Sequence, residues 1–204
     1  MKDLVLMVAD KNMNFALKGA LSRPDALGIA PIEFEFRTHM GRDGGVRTSG
    51  PETLALDSRR FSHALLVFDL EGSGASIADA KLVEEELDRR LSTHWDDRAK
   101  SIVIEPELDI WIWGSDNILQ DVLEWPIPGS IREWLKNRGF EFNESGKPLR
   151  PKEALDELRP VHRLPRSSAL YEKITSKISI KKCSDPAFSR LREQLQIWFP
   201  LKNR

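Results

Sequence analysis

Three nearly uninterrupted apolar runs mark the first half of the chain, and an acidic residue follows each of them. The runs and their acids are 4–9 with Asp10, 64–68 with Asp69, and 101–104 with Glu105. Runs of this kind predict strands that are buried on both faces of a parallel sheet. Strict alternation of apolar and polar residues at 32–36 predicts one more strand, half exposed to solvent.

Apolar residues at spacings of three and four predict helices between and after these strands. The first helix is expected after Asp10, with Asn12 or Asn14 as its capping residue. Residues 39–51, rich in Gly, Arg and Asp, and residues 140–150 are predicted to be loops. The apolar stripes of the helices are Phe15, Leu17 and Leu21; Ala80, Val83, Leu87 and Leu91; and Phe188, Leu191, Leu195 and Trp198.

This alternation predicts an α/β protein with a mainly parallel sheet flanked by helices and a helical C-terminal half. We expect a single domain over 1–204, with a core at roughly 1–115 and a helical extension at roughly 116–204. The carboxyl ends of parallel strands meet at one edge of the sheet. Asp10, Asp69 and Glu105 are therefore expected to lie near one another. The tryptophans of the second half are expected in the core; they are Trp111, Trp113, Trp125 and Trp134.

Charge and cysteine content exclude several classes of function. The net charge of −1 argues against a uniformly basic surface for nucleic acid, although 159–182 is locally basic. The only cysteine is Cys183, so neither an intramolecular disulfide nor a thiolate zinc site can form. No apolar run approaches the roughly 18 residues of a membrane span. We therefore expect a cytoplasmic protein with no membrane partner.

The acids at the predicted strand ends are candidates for a metal site. Glu71 lies two residues after Asp69, which would add a fourth carboxylate to the cluster. Carboxylates brought together share protons or bind a cation. Oxygen ligands without thiols favour Mg²⁺ or Mn²⁺, and such a metal could neutralise a phosphodiester and activate water. The alternative is that these acids only cap helices and pair with Arg or Lys.

The order of these motifs resembles the Toprim fold of primases, topoisomerases and OLD-type nucleases. It is more closely similar to small Toprim-like proteins of bacterial anti-phage defence loci, including accessory proteins of methylation-associated systems. The chain departs from the Toprim pattern, which has Glu after the first strand and Asp-x-Asp after a later one. The matching segments span nearly the whole chain: Asp10, Asp-Leu-Glu at 69–71, Glu-Leu-Asp-Ile-Trp at 107–111, Lys-Pro at 147–148, Tyr-Glu-Lys at 171–173 and Asp-Pro-Ala-Phe at 185–188.

The resemblance implies a metal-dependent phosphodiesterase that acts on nucleic acid, with DNA favoured over RNA. Asp10, Asp69 and Glu71 would hold the metal and act in catalysis. Glu107 and Asp109 would form a second acidic arm of the metal site. Stabilisation of the charge in the transition state would come from Lys147 or Lys152.

Contacts to the nucleic-acid backbone are expected from two basic segments. Arg42 and Asp43 lie in the glycine-rich segment that could approach a phosphate closely. In the C-terminal segment a buried stripe of Tyr171, Ile174 and Ile178 would leave basic residues on a neighbouring face. These basic residues are Arg166, Lys173, Lys177 and Lys181. A solvated helix face without a ligand is the alternative for this segment.

Two other functions are compatible with the sequence. The chain could be a non-catalytic subunit of a multi-protein defence complex, with an ATPase or a methyltransferase as partner and the Trp-rich half as contact surface. It could also be a receiver-like protein with Asp69 as phospho-acceptor. Receivers carry a second acid beside the first and a lysine after a late strand, and the sequence has neither at those places.

Overall fold

The computed structural model describes residues 1–162, 167–180 and 183–201. The strands are β1 (Lys2–Val8), β2 (Phe34–Thr38), β3 (Phe61–Asp69) and β4 (Ala99–Ile104). The helices are α1 (Lys11–Leu21), α2 (Pro24–Leu27), α3 (Arg42–Ala55), α4 (Ala80–Trp95), α5 (Asp116–Leu123), α6 (Ile131–Lys136), α7 (Pro151–His162), α8 (Ser168–Thr175) and α9 (Pro186–Trp198). A 3-10 helix, Leu108–Gly114, follows β4.

The sheet has four parallel strands in the order β2-β1-β3-β4. The predicted α/β architecture with a helical C-terminal half is confirmed. The β1–α1–β2 and β2–α3–β3 connections run in opposite directions across the sheet. Right-handed crossovers therefore place α1 on one face and α3 and α4 on the other. The chain leaves β1 toward β2 and leaves β3 toward β4, in opposite directions across the sheet. The carboxyl ends of β1 and β3 therefore flank the point where ligands bind in open α/β sheets.

The first helix is capped by Asp10 itself, not by Asn12 or Asn14. Asp10 has an extended backbone, and its Oδ1 accepts a hydrogen bond of 2.9 Å from the N–H of Met13. The predicted cap was wrong because α1 begins directly after β1, which leaves no loop for a later capping residue. Helix α9 begins in the same way, with Asp185 accepting from the N–H of Phe188 at 3.0 Å.

The prediction of a loop at 39–51 was wrong, because helix α3 occupies most of that segment. Packing overrides the low helix propensity of its glycines. A Cβ on Gly50 would lie 2.5 Å from Cδ1 of Leu66, so glycine lets α3 approach β3 closely. Pro51 lacks an N–H for the carbonyl of Arg47, and Arg90 Nη1 donates to that oxygen instead, at 3.0 Å.

The remaining elements follow the sequence more closely. The strand expected at 32–36 is present as β2 at Phe34–Thr38 and is half exposed, as predicted. Trp111 and Trp113 are buried, while Trp125 and Trp134 are partly buried and meet edge to face with centroids 5.2 Å apart. In the described ranges, the model has no helix that is both long enough and apolar enough to cross a membrane.

Candidate functional site

A cleft of about 680 Å³ lies at the carboxyl ends of the strands. Eight carboxylates line it, six of them at the sheet edge and two, Glu153 and Asp156, on α7, together with the cations Arg42 and Lys152. The convergence predicted for Asp10, Asp69 and Glu71 is confirmed, and so is the inclusion of Glu107. The six acids at the sheet edge, called here the acidic cluster, are Asp10, Asp43, Asp69, Glu71, Glu107 and Asp109.

The strand order arranges the acidic cluster as a row. Asp43 follows β2, Asp10 follows β1, Asp69 ends β3, and Glu107 follows β4. Neighbouring strands lie about 4.8 Å apart, so the row crosses the edge of the sheet over roughly 14 Å. Arg42 lies at the β2 end of this row, and Lys152 pairs with Glu107 at the β4 end.

Asp69 lies at the centre of the row. Its backbone N–H donates to Asp43 Oδ1 at 2.9 Å, and its own Oδ1 accepts from the N–H of Leu108 at 2.8 Å. Loss of solvent raises the pKa of Asp69 well above its usual range, and the nearby charges of Asp43 and Asp109 raise it further. The site therefore favours either a proton on Asp69 or a cation beside it.

Glu107 has an environment that the sequence did not predict in detail. The 3-10 helix begins directly after Glu107, and Glu107 makes no side-chain cap to it. Instead, Glu107 Oε1 accepts from the N–H of Lys152 at 3.2 Å, in the first turn of α7. Burial to 7% exposure, followed by the charge of Asp109, raises the pKa of Glu107 to about 7.

Asp109 and Asp43 complete the acidic cluster from opposite sides. Asp109 is 6% exposed, and its Oδ1 accepts a hydrogen bond of 2.8 Å from the hydroxyl of Tyr171. Loss of solvent raises the pKa of Asp43, which also feels the charge of Asp10. The sequence analysis named Asp43 only as a neighbour of Arg42. It missed the role of Asp43 in the cluster because no apolar run precedes that residue.

Two residues expected at this edge lie elsewhere. Glu105 is exposed and lines a separate cavity of about 160 Å³, together with Lys147. Lys147 is only 5% exposed, and its Nζ lies 3.8 Å from Oδ2 of Asp185. Asp185 also accepts from the indole N–H of Trp111 at 2.9 Å. The structure thus brings Lys152, but not Lys147, to the acidic cluster.

Among the described residues, only part of the basic C-terminal segment is exposed and unoccupied by ion pairs in the way that contacts to nucleic acid require. The stripe of Tyr171, Ile174 and Ile178 is buried, as predicted. Helix α8 ends at Thr175, so Lys177 lies beyond it and pairs with Asp121 at 2.7 Å, whereas Lys173 is exposed. The other two basic residues of the prediction, Arg166 and Lys181, lie outside the described residues.

The donor chemistry of the cleft fits a hard divalent cation. The lining acids offer only oxygen ligands. Burial, and after it the charge of neighbouring carboxylates, raises the pKa of Asp69 and of Glu107, and a bound cation would offset both by favouring the ionised forms. In the part of the chain that the structure describes, however, no three His, Cys, Asp or Glu side chains are grouped so that they could hold a metal ion. Binding would therefore require rotation of side chains.

Comparison with protein-family models, with curated proteins and with solved structures found no match. The resemblance to Toprim-like proteins therefore stays a hypothesis that rests on the quoted motifs. Several of those motifs contact one another in the fold, because Tyr171 donates to Asp109 and Trp111 donates to Asp185.

Proposed function

We propose that the acidic cluster binds Mg²⁺ or Mn²⁺ and that the protein hydrolyses phosphodiester bonds of nucleic acid, with DNA favoured over RNA. The carrying observation is the row of carboxylates from all four strand ends, in which Asp69 and Glu107 have raised pKa values. We place this activity in the cytoplasm, in anti-phage defence, following the motif resemblance.

The residues of the chain would divide the work as follows. Asp69, Glu71 and Asp10 would hold the metal at the centre of the row, and Glu107 and Asp109 would close its β4 side. A bound divalent metal supplies charge neutralisation and an activated water. Lys152 is half exposed at the cleft and 3.8 Å from Glu107, which suits a cation that stabilises the charge developing on a phosphate.

A non-catalytic subunit of a defence complex is the second candidate. This candidate is favoured because Asp10 already caps helix α1, with its Oδ1 accepting a hydrogen bond from the N–H of Met13. Asp10 is also one methylene shorter than the Glu that Toprim proteins carry there. In this reading the cleft is a remnant, and the chain acts by binding an ATPase or a methyltransferase.

Calorimetric titration with Mn²⁺ and cleavage of labelled DNA would separate the two candidates. We expect Mn²⁺ to bind the wild type, and Asp69→Asn and Glu71→Gln to lower cleavage at least about a hundredfold. Glu86→Gln is the matched control, since Glu86 is an exposed acid on α4 outside the cleft. Wild type that neither binds Mn²⁺ nor cleaves DNA would exclude the hydrolase and leave the subunit.

A further inference from the structure

The turn that joins β2 to α3 projects from the rim of the cleft. We call residues 39–42 the 39–42 turn. Met40 is 100% exposed within it, the highest exposure among the large apolar side chains of the described residues. Two residues later, Arg42 has a φ of 50°, in the left-handed region, and its side chain lines the cleft. A residue other than glycine held there costs about 1 kcal/mol or more.

A chain of hydrogen bonds through the His39 ring fixes the shape of this turn. The N–H of Gly41 donates to His39 Nδ1 at 3.0 Å, so the ring proton is on Nε2. Nε2 then donates to Ser49 Oγ at 3.0 Å, and that hydroxyl donates to the carbonyl of Gly45 at 3.2 Å. A Cβ on Gly45 would lie 2.3 Å from His39 Nδ1, so the ring needs glycine at 45.

Helix α3, which follows the 39–42 turn, contacts the centre of the cleft and the segment beyond β3. Asp43 accepts from the backbone of Asp69, as described above. One turn further along α3, Arg47 donates to the carbonyls of Ser73 at 2.8 Å and Gly74 at 3.1 Å, beyond β3. The backbone at Met40 and Arg42 is therefore held in a defined position relative to the acidic cluster.

We infer that the 39–42 turn binds an unpaired nucleic-acid strand, with Arg42 on a backbone phosphate and Met40 against the face of an adjacent base. This inference rests on the proposed function, and it names the substrate class as single-stranded. The row of carboxylates repels phosphates, so a strand needs cations at the rim to enter, and Arg42 supplies one at the β2 end. The polarizable thioether of Met40 packs well on an aromatic ring.

The preference for an unpaired strand follows from access to the base. Stacking on a side chain requires an open base face, which single strands offer and a duplex does not. Insertion of Met40 into a duplex would require unstacking of a base step, at a cost of a few kcal/mol. The single strand avoids that cost.

Fluorescence anisotropy with a labelled 20-nucleotide DNA strand, without divalent metal and at low salt, tests this inference. We expect tighter binding to the single strand than to the same sequence as a duplex. Met40→Ala should weaken single-strand binding at least about fivefold, as for the loss of one stacked base. Leu56→Ala is the matched control, since Leu56 is 82% exposed at the far end of α3 and should bind like the wild type.

A positioning variant separates the shape of the turn from its side chains. Gly45→Ala keeps Met40 and Arg42 but displaces the His39 ring, and it should weaken binding about as much as Met40→Ala. Wild type that binds neither strand form, or that prefers the duplex, would overturn the inference. So would a Met40→Ala protein that binds like the wild type.

The outcomes also keep this inference apart from the hydrolase proposal. Single-strand binding that depends on Met40, without cleavage in Mn²⁺, would support the binding turn and exclude the proposed activity. Cleavage by both the wild type and Met40→Ala with equal KM for the single strand would support the activity and exclude the binding turn.

Discussion

At the scale of single residues, four carboxylates of the cleft each stabilise the fold through one oxygen. Oδ1 of Asp10, of Asp43 and of Asp69 each accepts a backbone N–H, and so does Oε1 of Glu107. Capping and cation binding are therefore not exclusive alternatives. A hydrogen bond to one oxygen orients the carboxylate, and the second oxygen is directed by that bond.

The raised pKa of Glu107 makes stability depend on pH. Between its ordinary value of 4.5 and about 7 the folded protein holds a proton that the unfolded chain releases. The free energy of unfolding therefore falls as pH rises through that window, and above it the buried, ionised carboxylate keeps the folded state less stable. We expect Glu107→Gln to be more stable than the wild type by about 3 kcal/mol at pH 8, and equal to it near pH 4.5.

Urea unfolding in a metal chelator at both pH values would measure this difference. Gln at 107 keeps an oxygen for the N–H of Lys152. Glu86→Gln, at an exposed position, should match the wild type at both pH values. A Glu107→Gln protein no more stable than the wild type at pH 8 would contradict the prediction.

The sequence allowed part of the acidic cluster to be predicted. Asp10 and Asp69 follow long apolar runs, and a parallel sheet brings such ends together whatever the rest of the chain does. Asp43 gave no such signal, since it belongs to a helix rich in glycine. Lys147 was misplaced because its partner, Asp185, is 38 residues away in sequence and only the folded chain brings the two together.

At the scale of elements, two glycines in helices have opposite effects on stability. Gly19 lies where α1 crosses α8, and a Cβ there would be 2.2 Å from Thr175 Oγ1 and 2.6 Å from the carbonyl of Glu172. Gly44 lies in the first turn of α3, where a Cβ would meet only ordinary contacts, the nearest at 3.7 Å. The first glycine permits close packing, whereas the second only lowers helix propensity.

Alanine at these two positions should therefore change stability in opposite directions. Gly19→Ala is expected to lose about 1–3 kcal/mol, because backbone atoms of α8 cannot move aside easily. Gly44→Ala is expected to gain up to about 1 kcal/mol from helix propensity. Thermal unfolding of both variants beside the wild type measures the two shifts. Equal shifts of the same sign in the two variants would show that the close α1–α8 contact does not exclude a Cβ at position 19.

Helices with an apolar stripe could be predicted from the sequence, whereas helix α3, which lacks one, could not. Apolar spacing located α1, α4 and α9 because each buries one stripe against the sheet. Helix α3 lacks such a stripe, and its buried residues include Gly50 and Pro51. Its stability comes from the close approach to β3 and from Arg90, which are tertiary contacts that no local pattern records.

At the scale of the whole molecule, the helical second half completes the cleft that the sheet begins. The first turn of α7 contributes Lys152, and α8 contributes the Tyr171 hydroxyl that holds Asp109. Ser168 of α8 also donates to Asn12, which lines the cleft, at 2.8 Å. The sequence predicted a core at roughly 1–115 and a helical extension at roughly 116–204, but residues of both line the site. Contacts between residues so far apart in sequence cannot be derived from local patterns.

Because cation and proton compete for the same carboxylates, stabilisation by metal should depend on pH. With Mn²⁺ at 100 times its Kd, we expect about 2.7 kcal/mol of stabilisation at pH 8, or a rise in Tm of roughly 5–10 °C. At pH 5.5 Glu107, with a pKa of about 7, is mostly protonated, and the raised pKa of Asp69 acts in the same direction. Displacing the Glu107 proton alone weakens binding by about thirtyfold.

Differential scanning fluorimetry with and without Mn²⁺, at pH 8 and at pH 5.5, would measure the two shifts in Tm. Asp69→Asn should abolish them and Glu86→Gln should keep them, and a shift of the same size at both pH values would contradict binding in the acidic cluster.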